Sequence, residues 1–204
     1  FPTRRSSDLA CDAMSTTLPV WINGDAAGSI SPADRGLAYG DGLFETLRIA
    51  NKRVVLEAEH FMRLEKSAHA LGISVDLAEL KATFARFLTH CPADGVVKII
   101  LTRGAGGRGY LPDAAMAPTC ILSAHPLPVV SSLPLSVVTA SLQLAQQPLL
   151  AGHKHLNRLE QVLLRRELAQ HGADEAVVCD THHQVIEGVS NNLFFVKENR
   201  LCTP

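Results

Sequence analysis

Lys154 sits in the stretch AGHKHLNRLEQ (151–161), between His153 and His155, just behind a glycine and just ahead of a helix-like pattern. A solvated lysine keeps a pKa near ~10.4 and is a poor nucleophile. Burial and neighbouring cations lower that value. The preceding PLLAG supplies apolar neighbours, and His153, His155 and Arg158 are local cation candidates. A lysine depressed in this way forms a Schiff base with an aldehyde. Without such surroundings it is ordinary charge at the start of a helix.

Other residues would complement an aldehyde cofactor such as pyridoxal phosphate (PLP). Glu187 lies in VIEGVSNNLFFV at the end of a short predicted strand. A carboxylate there either stays solvated or holds a pyridine nitrogen protonated, which makes the ring an electron sink. Ser190, Asn191 and Asn192 come next, and they either donate to a phosphate or cap a turn. Arg63, in EHFMRLEKSA, offers a planar fork that suits a pair of phosphate oxygens, although most helical arginines are surface residues. The glycine-rich RGAGGRGY (103–110) reads either as a plain hairpin or as a loop. As a loop it brings Arg103 or Arg108, with Tyr110 beside it, to a substrate carboxylate.

Several chemistries are not supported. RGAGGRGY lacks the Gly-Lys-Ser/Thr of a phosphate-binding P-loop, and no helix pattern comes after its strand. His153 and His155 are two apart and His182 and His183 adjacent, which is not metal-ligand spacing. No G-x-S-x-G elbow is present. With 19 basic and 20 acidic residues the net charge is −1, so no nucleic-acid partner is implied. The longest apolar runs, such as VVKIIL, are too short to span a bilayer. The five cysteines are scattered, odd in number and without a CxxC pair. They predict neither a disulfide framework nor a zinc site and fit a reducing cytoplasm.

The elements that must position these residues can be placed along the chain. At 204 residues, 47% hydrophobic and 19% charged, the chain is globular. FPTRRSSDLACDA (1–13) differs in character from the rest of the chain and reads as a non-native leader, with Met14 as the start. Strands are expected at PVWI, ending in an Asn23-Gly24 turn, and on both sides of an Asn51-Lys52 turn. One helix carries Phe61, Leu64, Ala68 and Leu71 and stops at Gly72. A second is capped by Asp76 and carries Leu80, Phe84 and Phe87. GVVKIILT and TCILSAH read as strands. HPLPVVSSLP has linker composition, which sets domain boundaries of 14–125, a linker at 126–134, and 135–204. The second unit is expected to hold a helix over HLNRLEQVLLRRELAQHG, with Leu156, Leu159, Val162 and Leu163 as its apolar stripe. Further strands are expected at EAVVCD, VIEG and NNLFFV. The chain ends inside a further hairpin, so this unit is expected to be incomplete at its C-terminus.

The order of these stretches resembles the class-IV (fold-type IV) PLP-dependent enzymes. The motifs are DRGLAYGDGLFETLRI, H-x-x-R-L, TRGAGGRGY, KHLNRLEQVLLRRE and ADEAVVCD…VIEGVSNNLFFV. That group includes D-amino acid and branched-chain aminotransferases and 4-amino-4-deoxychorismate lyase, and RGAGGRGY and AGHKHLNRLEQVL resemble the lyase branch. The resemblance implies a two-domain α/β (α+β) fold, a homodimer and PLP. It implies that Lys154 forms the Schiff base, that Glu187 faces the pyridine nitrogen, and that Arg63 holds the phosphate, with Ser190 and Asn191 nearby. It implies a substrate-carboxylate role for Arg108. Phe44 stands where D-amino acid aminotransferases have a tyrosine, and Tyr110 where they use a histidine. A small-molecule substrate is implied, acted on by the lyase reaction. The alternatives are a D- or branched-chain aminotransferase, or a shortened chain without PLP.

Overall fold

A computed structural model describes residues 18–113, 116–129 and 132–204. The leader, Met14 and Cys11 lie outside the described residues, as does part of the predicted linker. The first half contains β1 (Val20–Ile22), α1 (Arg35–Tyr39), β2 (Gly42–Ala50), β3 (Arg53–Val54), α2 (Glu57–Leu71), α3 (Leu77–Leu88), β4 (Gly95–Thr102) and β5 (Thr119–His125). Its strands form one antiparallel sheet in the order β1-β5-β4-β2-β3.

Period-two patterning explains the faces. Leu43, Leu47 and Ile49 on β2, Val97, Ile99 and Leu101 on β4, and Leu122 and Ala124 on β5 are buried in one cluster. Phe61, Leu64 and Ala68 of α2 and Leu80, Phe84 and Phe87 of α3 belong to the same cluster. Phe44, Lys98 and Ile100 alternate with the buried rows and so stand on the opposite face. The Asn51-Lys52 turn has both residues left-handed, at φ 50° and 63°, as a tight hairpin turn requires. Asn23 and Gly24 do the same after β1.

Helix α3 starts where its first turn is satisfied. Asp76 accepts hydrogen bonds from the backbone N–H of Ala78 (2.9 Å) and Glu79 (3.0 Å). Asp76→Ala should therefore lower unfolding stability by about 1 kcal/mol. The expected readout is a lower urea midpoint at unchanged slope, and an unchanged midpoint would count against the cap.

The second half contains β6 (Val137–Thr139), α4 (Leu159–His171), β7 (Glu175–Cys179) and β8 (Val185–Gly188), with a final hairpin of β9 (Phe195–Lys197) and β10 (Arg200–Cys202). β6 runs parallel to β7, and β8 runs antiparallel to β7. A separate core of Leu164, Leu168, Ala176, Val178 and Val189 joins α4 to this sheet. The expected apolar stripe of α4 is corrected here. Leu159, Val162 and Leu163 are 70%, 54% and 40% exposed, whereas Leu164 and Leu168 are buried. Leu164 and Leu168, one turn apart on the same face, pack with Ala176, Val178 and Val189, and that contact sets the buried side of the helix. Residues 155–158, expected to be helical, precede the helix, and His155 pairs with β2 instead.

Candidate active site

The lysine segment is positioned by β2. The backbone N–H of Phe44 donates to the carbonyl of Lys154 (2.9 Å), and that of Leu156 donates to the carbonyl of Gly42 (2.9 Å). Leu43 and His155 form an antiparallel bridge between these bonds. Residues 154–156 thus lie on β2 as a short extra strand, beyond the part that β3 pairs, at Ile49 and Ala50. Side chains pin both flanks. His153 Nδ1 lies 3.0 Å from Oγ of the buried Ser67 on α2, and Asn157 Nδ2 donates to the Gly40 carbonyl (3.3 Å). Gly40 is left-handed (φ 67°), and a Cβ there would stand 2.6 Å from Asn157 Oδ1, so a larger residue would strain the backbone and displace the Asn157 side chain.

The Lys154 amine rests over the Phe44 ring, 4.3 Å from its centroid, and is half-buried. Burial pushes its pKa below the ordinary lysine value. Glu45 pulls it back, Arg158 and Arg63 depress it further, and Glu187 again opposes them. The Arg158 guanidinium carbon and the Lys98 amine lie over the same ring, each at 5.4 Å. Glu187, on β8 opposite Val178, accepts from Gln161 Nε2 at 3.4 Å. Two buried polar atoms beside these groups, His155 Nδ1 and Gln161 Oε1, have no hydrogen-bond partner among the described residues. Burial lowers the pKa of His155, and Arg158 adds to this.

Arg63 points its fork into a carboxylate that sequence reasoning missed. Its Nε donates to Glu45 Oε1 (2.6 Å) and its Nη2 to Glu45 Oε2 (2.5 Å), and His60 Nδ1 lies 2.7 Å from the same Oε2. The available signal was a glutamate in the inward-facing row of β2, between Leu43 and Leu47, where patterning calls for an apolar residue.

Three expected ligand residues are engaged with the protein instead. Arg103 donates through Nε and Nη2 to Asp41 (2.7 and 3.0 Å), and through Nη1 and Nη2 to the Gly72 and Leu71 carbonyls (2.6 and 2.7 Å). Buried Arg35 shares Asp41 at 2.9 Å and holds the glycine-rich loop by the carbonyls of Gly109 (2.8 Å) and Tyr110 (2.7 Å). Arg103 is therefore a clamp between α2 and the loop rather than a free carboxylate ligand. Ser190 Oγ accepts from Arg165 Nη2, and Asn191 Nδ2 donates to the buried Glu175. Both side chains thus organise the turn after β8. Arg108 is exposed, and Tyr110, 87% exposed, leans on Tyr39 with ring centroids 5.6 Å apart.

Among the described residues no group of His, Cys, Asp and Glu could hold a metal ion, and no helix is long and apolar enough to cross a membrane.

The sheet, the lysine strand and the carboxylates within charge range of Lys154 together define a class. Residues 42–204 match the amino-transferase class IV family model, and the chain belongs to that family. Its architecture is the mixed α/β fold of fold-type IV PLP enzymes. The crystal structure of 4-amino-4-deoxychorismate lyase from Pseudomonas aeruginosa superposes with a TM-score of 0.82 at 43% identity, covering 91% of this chain and 70% of that one. The aminodeoxychorismate lyase of Vibrio harveyi is 32% identical over 188 residues, which are 90% of this chain and 69% of the relative. The D-alanine aminotransferase of Bacillus licheniformis is 30% identical over 173 residues, 83% of this chain and 61% of that enzyme.

Proposed function

We propose that this protein is a PLP-dependent lyase that converts 4-amino-4-deoxychorismate to 4-aminobenzoate and pyruvate, a step of folate biosynthesis. The observation that carries the reading is the half-buried amine of Lys154, seated over the Phe44 ring and within charge range of Arg63, Arg158 and Glu187. The 43% identity to the Pseudomonas lyase supports the lyase branch.

The residues present fit the cofactor. Its aldehyde requires an amine of lowered pKa, its ring nitrogen a carboxylate, and its phosphate a guanidinium, and Lys154, Glu187 and Arg63 supply these donor types. The orphaned His155 Nδ1 and Gln161 Oε1 leave polar capacity for a ligand. When bound, PLP supplies an aldehyde for amine capture and a pyridinium ring that takes up an electron pair.

The chain's own groups then have defined tasks. Glu187 holds a proton on the ring nitrogen, and Arg63 holds the phosphate. Lys154, as the neutral amine, takes the proton from the substrate ring carbon that bears the amino group. Its ammonium form returns a proton as the enolpyruvyl group departs as pyruvate, and aromatisation of the remaining ring favours this direction. The substrate carries two carboxylates. Arg108 meets one of them with Tyr110 beside it, since the donors of Arg103 are already committed, and Phe44 forms the floor. A cytoplasmic homodimer belongs to the same reading. It is supported by the free thiols of Cys91, Cys120, Cys179 and Cys202 and by the open apolar side chains of α4.

Borohydride reduction in the presence of PLP, followed by peptide mapping, should place the label on Lys154. Incubation with aminodeoxychorismate should release 4-aminobenzoate and pyruvate in equal amounts. Turnover of amino donors with 2-oxoglutarate and no 4-aminobenzoate would replace the lyase by an aminotransferase. No label at all would remove the cofactor.

A further inference from the structure

Glu45 is a buried charge that the reaction does not use directly. Its side chain is 1% exposed and belongs to the face of β2 that otherwise packs apolar side chains. Burying a carboxylate is costly unless charged donors compensate. Here the compensation is specific. Arg63 meets it through Nε and Nη2, the two-point geometry of a guanidinium on a carboxylate. His60 Nδ1 lies 2.7 Å from the same carboxylate and donates to it when the ring carries its proton on that nitrogen. Arg63 itself is 46% exposed. A long side chain so open to water samples many rotamers, and fixing it to a ligand costs conformational entropy. Glu45 removes most of that freedom in advance. Among the described residues, no protein group accepts from Arg63 Nη1, so one edge of the fork stays available.

The carboxylate also adjoins the lysine. Glu45 is next in sequence to Phe44, the residue whose backbone N–H fixes the Lys154 carbonyl and whose ring carries the Lys154 amine. The phosphate-facing arginine and the lysine are thus both referenced to two consecutive residues of one strand. That distance is set by β2 rather than by a loop.

We propose that Glu45 is a positioning residue for a phosphate monoester: it clamps Arg63 by Nε and Nη2 so that Nη1 meets the phosphate of a ligand whose aldehyde end reaches Lys154. This rests on the PLP reading and assigns to Glu45 the discrimination between phosphorylated and unphosphorylated forms of that ligand. The carboxylate's own charge would repel a phosphate, but Arg63 stands between them, and His60 adds a donor on the carboxylate side. Glutamine at this position keeps the volume but loses the fork, because its amide nitrogen cannot accept from Nη2. Aspartate keeps the charge but is one methylene too short.

The test titrates the full chain with PLP and, separately, with pyridoxal, which lacks the phosphate. Binding is read by the change in ligand absorbance. Wild type is expected to bind PLP more tightly than pyridoxal. Glu45→Asp, which keeps the charge that bears on Lys154, is expected to weaken PLP by about tenfold or more while changing pyridoxal by less than about twofold. Glu45→Gln also alters the Lys154 amine, so for it the PLP-to-pyridoxal affinity ratio is expected to fall by about tenfold. In an Arg63→Lys background Glu45→Gln should add little, because the clamp is already gone. Each ratio is taken within one protein preparation, so a partly unfolded fraction affects both ligands alike. Equal loss for the two ligands, or an unchanged PLP affinity, would overturn the proposal in favour of a purely structural ion pair. Wild type that binds both ligands equally also overturns it while leaving Lys154 as the aldehyde site. Wild type that binds neither removes the PLP reading and this proposal with it.

Discussion

Lys154→Ala is expected to abolish product formation while leaving the fold in place. In the proposed reaction one amine both captures the aldehyde and shuttles the proton, and no other described lysine rests this close to the same ring and carboxylates. Removing a nucleophile that also serves as the base should lower kcat/KM by on the order of 10³-fold or more, about 4 kcal/mol of barrier. The cost in stability is small by comparison. The bonds that fix residues 154–156 to β2 run through backbone atoms that alanine retains, namely Phe44 N–H to the 154 carbonyl and Leu156 N–H to Gly42. The lost contact with Phe44 is worth about 0.5–1 kcal/mol. Far-UV circular dichroism should therefore match wild type while 4-aminobenzoate release disappears. Activity within tenfold of wild type would remove Lys154 from the chemistry.

Local chemistry made much of the framework readable from the sequence alone. The Asn23-Gly24 and Asn51-Lys52 turns need left-handed residues, Asp76 needs only the next turn of its own helix, and the apolar rows of β2 and β4 alternate with period two. The α4 face was misread because LEQVLLRREL offers apolar residues on more than one side. The side that is buried depends on a three-stranded sheet whose strands lie on either side of it in sequence. Arg103, Ser190 and Asn191 look like ligands for a related reason. Their partners stand far off, Asp41 at 62 residues from Arg103 and Glu175 at 16 from Asn191, and no short motif reports such a pair. The seating of Lys154 on β2 was equally hidden, because it joins segments more than a hundred residues apart through backbone bonds that side-chain identity does not encode. Glu45 was the readable omission: a carboxylate in an apolar row marks either a strained strand or a buried partner, and Arg63 was the partner.

Glu175→Ala should destabilise the fold by about 2–4 kcal/mol, more than Asp76→Ala or Lys154→Ala, because it strands buried backbone donors. Glu175 is 3% exposed and sits at the start of β7. Its Oε1 accepts from the backbone N–H of Ala176 (3.0 Å) and Val189 (2.9 Å). Its Oε2 takes the Asn191 amide, with Arg165 Nη2 at 3.6 Å. Alanine leaves the buried Val189 N–H without its acceptor and frees the turn between Gly188 and Asn191, which closes on itself by a Gly188 N–H to Asn191 carbonyl bond (3.0 Å). Glu187 immediately precedes that turn, so its carboxylate loses its fixed direction, and the proton on the cofactor ring would be held less well. The acid limb separates this account from a simple packing loss. Burial by itself would raise the Glu175 pKa, but the hydrogen bonds from Ala176, Val189 and Asn191 and the charge of Arg165 outweigh it and hold the carboxyl below its ordinary value. A group depressed in the folded state contributes stability above its unfolded pKa and loses it as pH falls through the folded one. Wild type should therefore exceed Glu175→Ala by the full margin at pH 7, with the gap narrowing progressively below the ordinary glutamate range. Urea midpoints across that range measure it: a small gap at pH 7 would overturn the predicted destabilisation, and a gap constant with pH would show that Glu175 acts through shape alone.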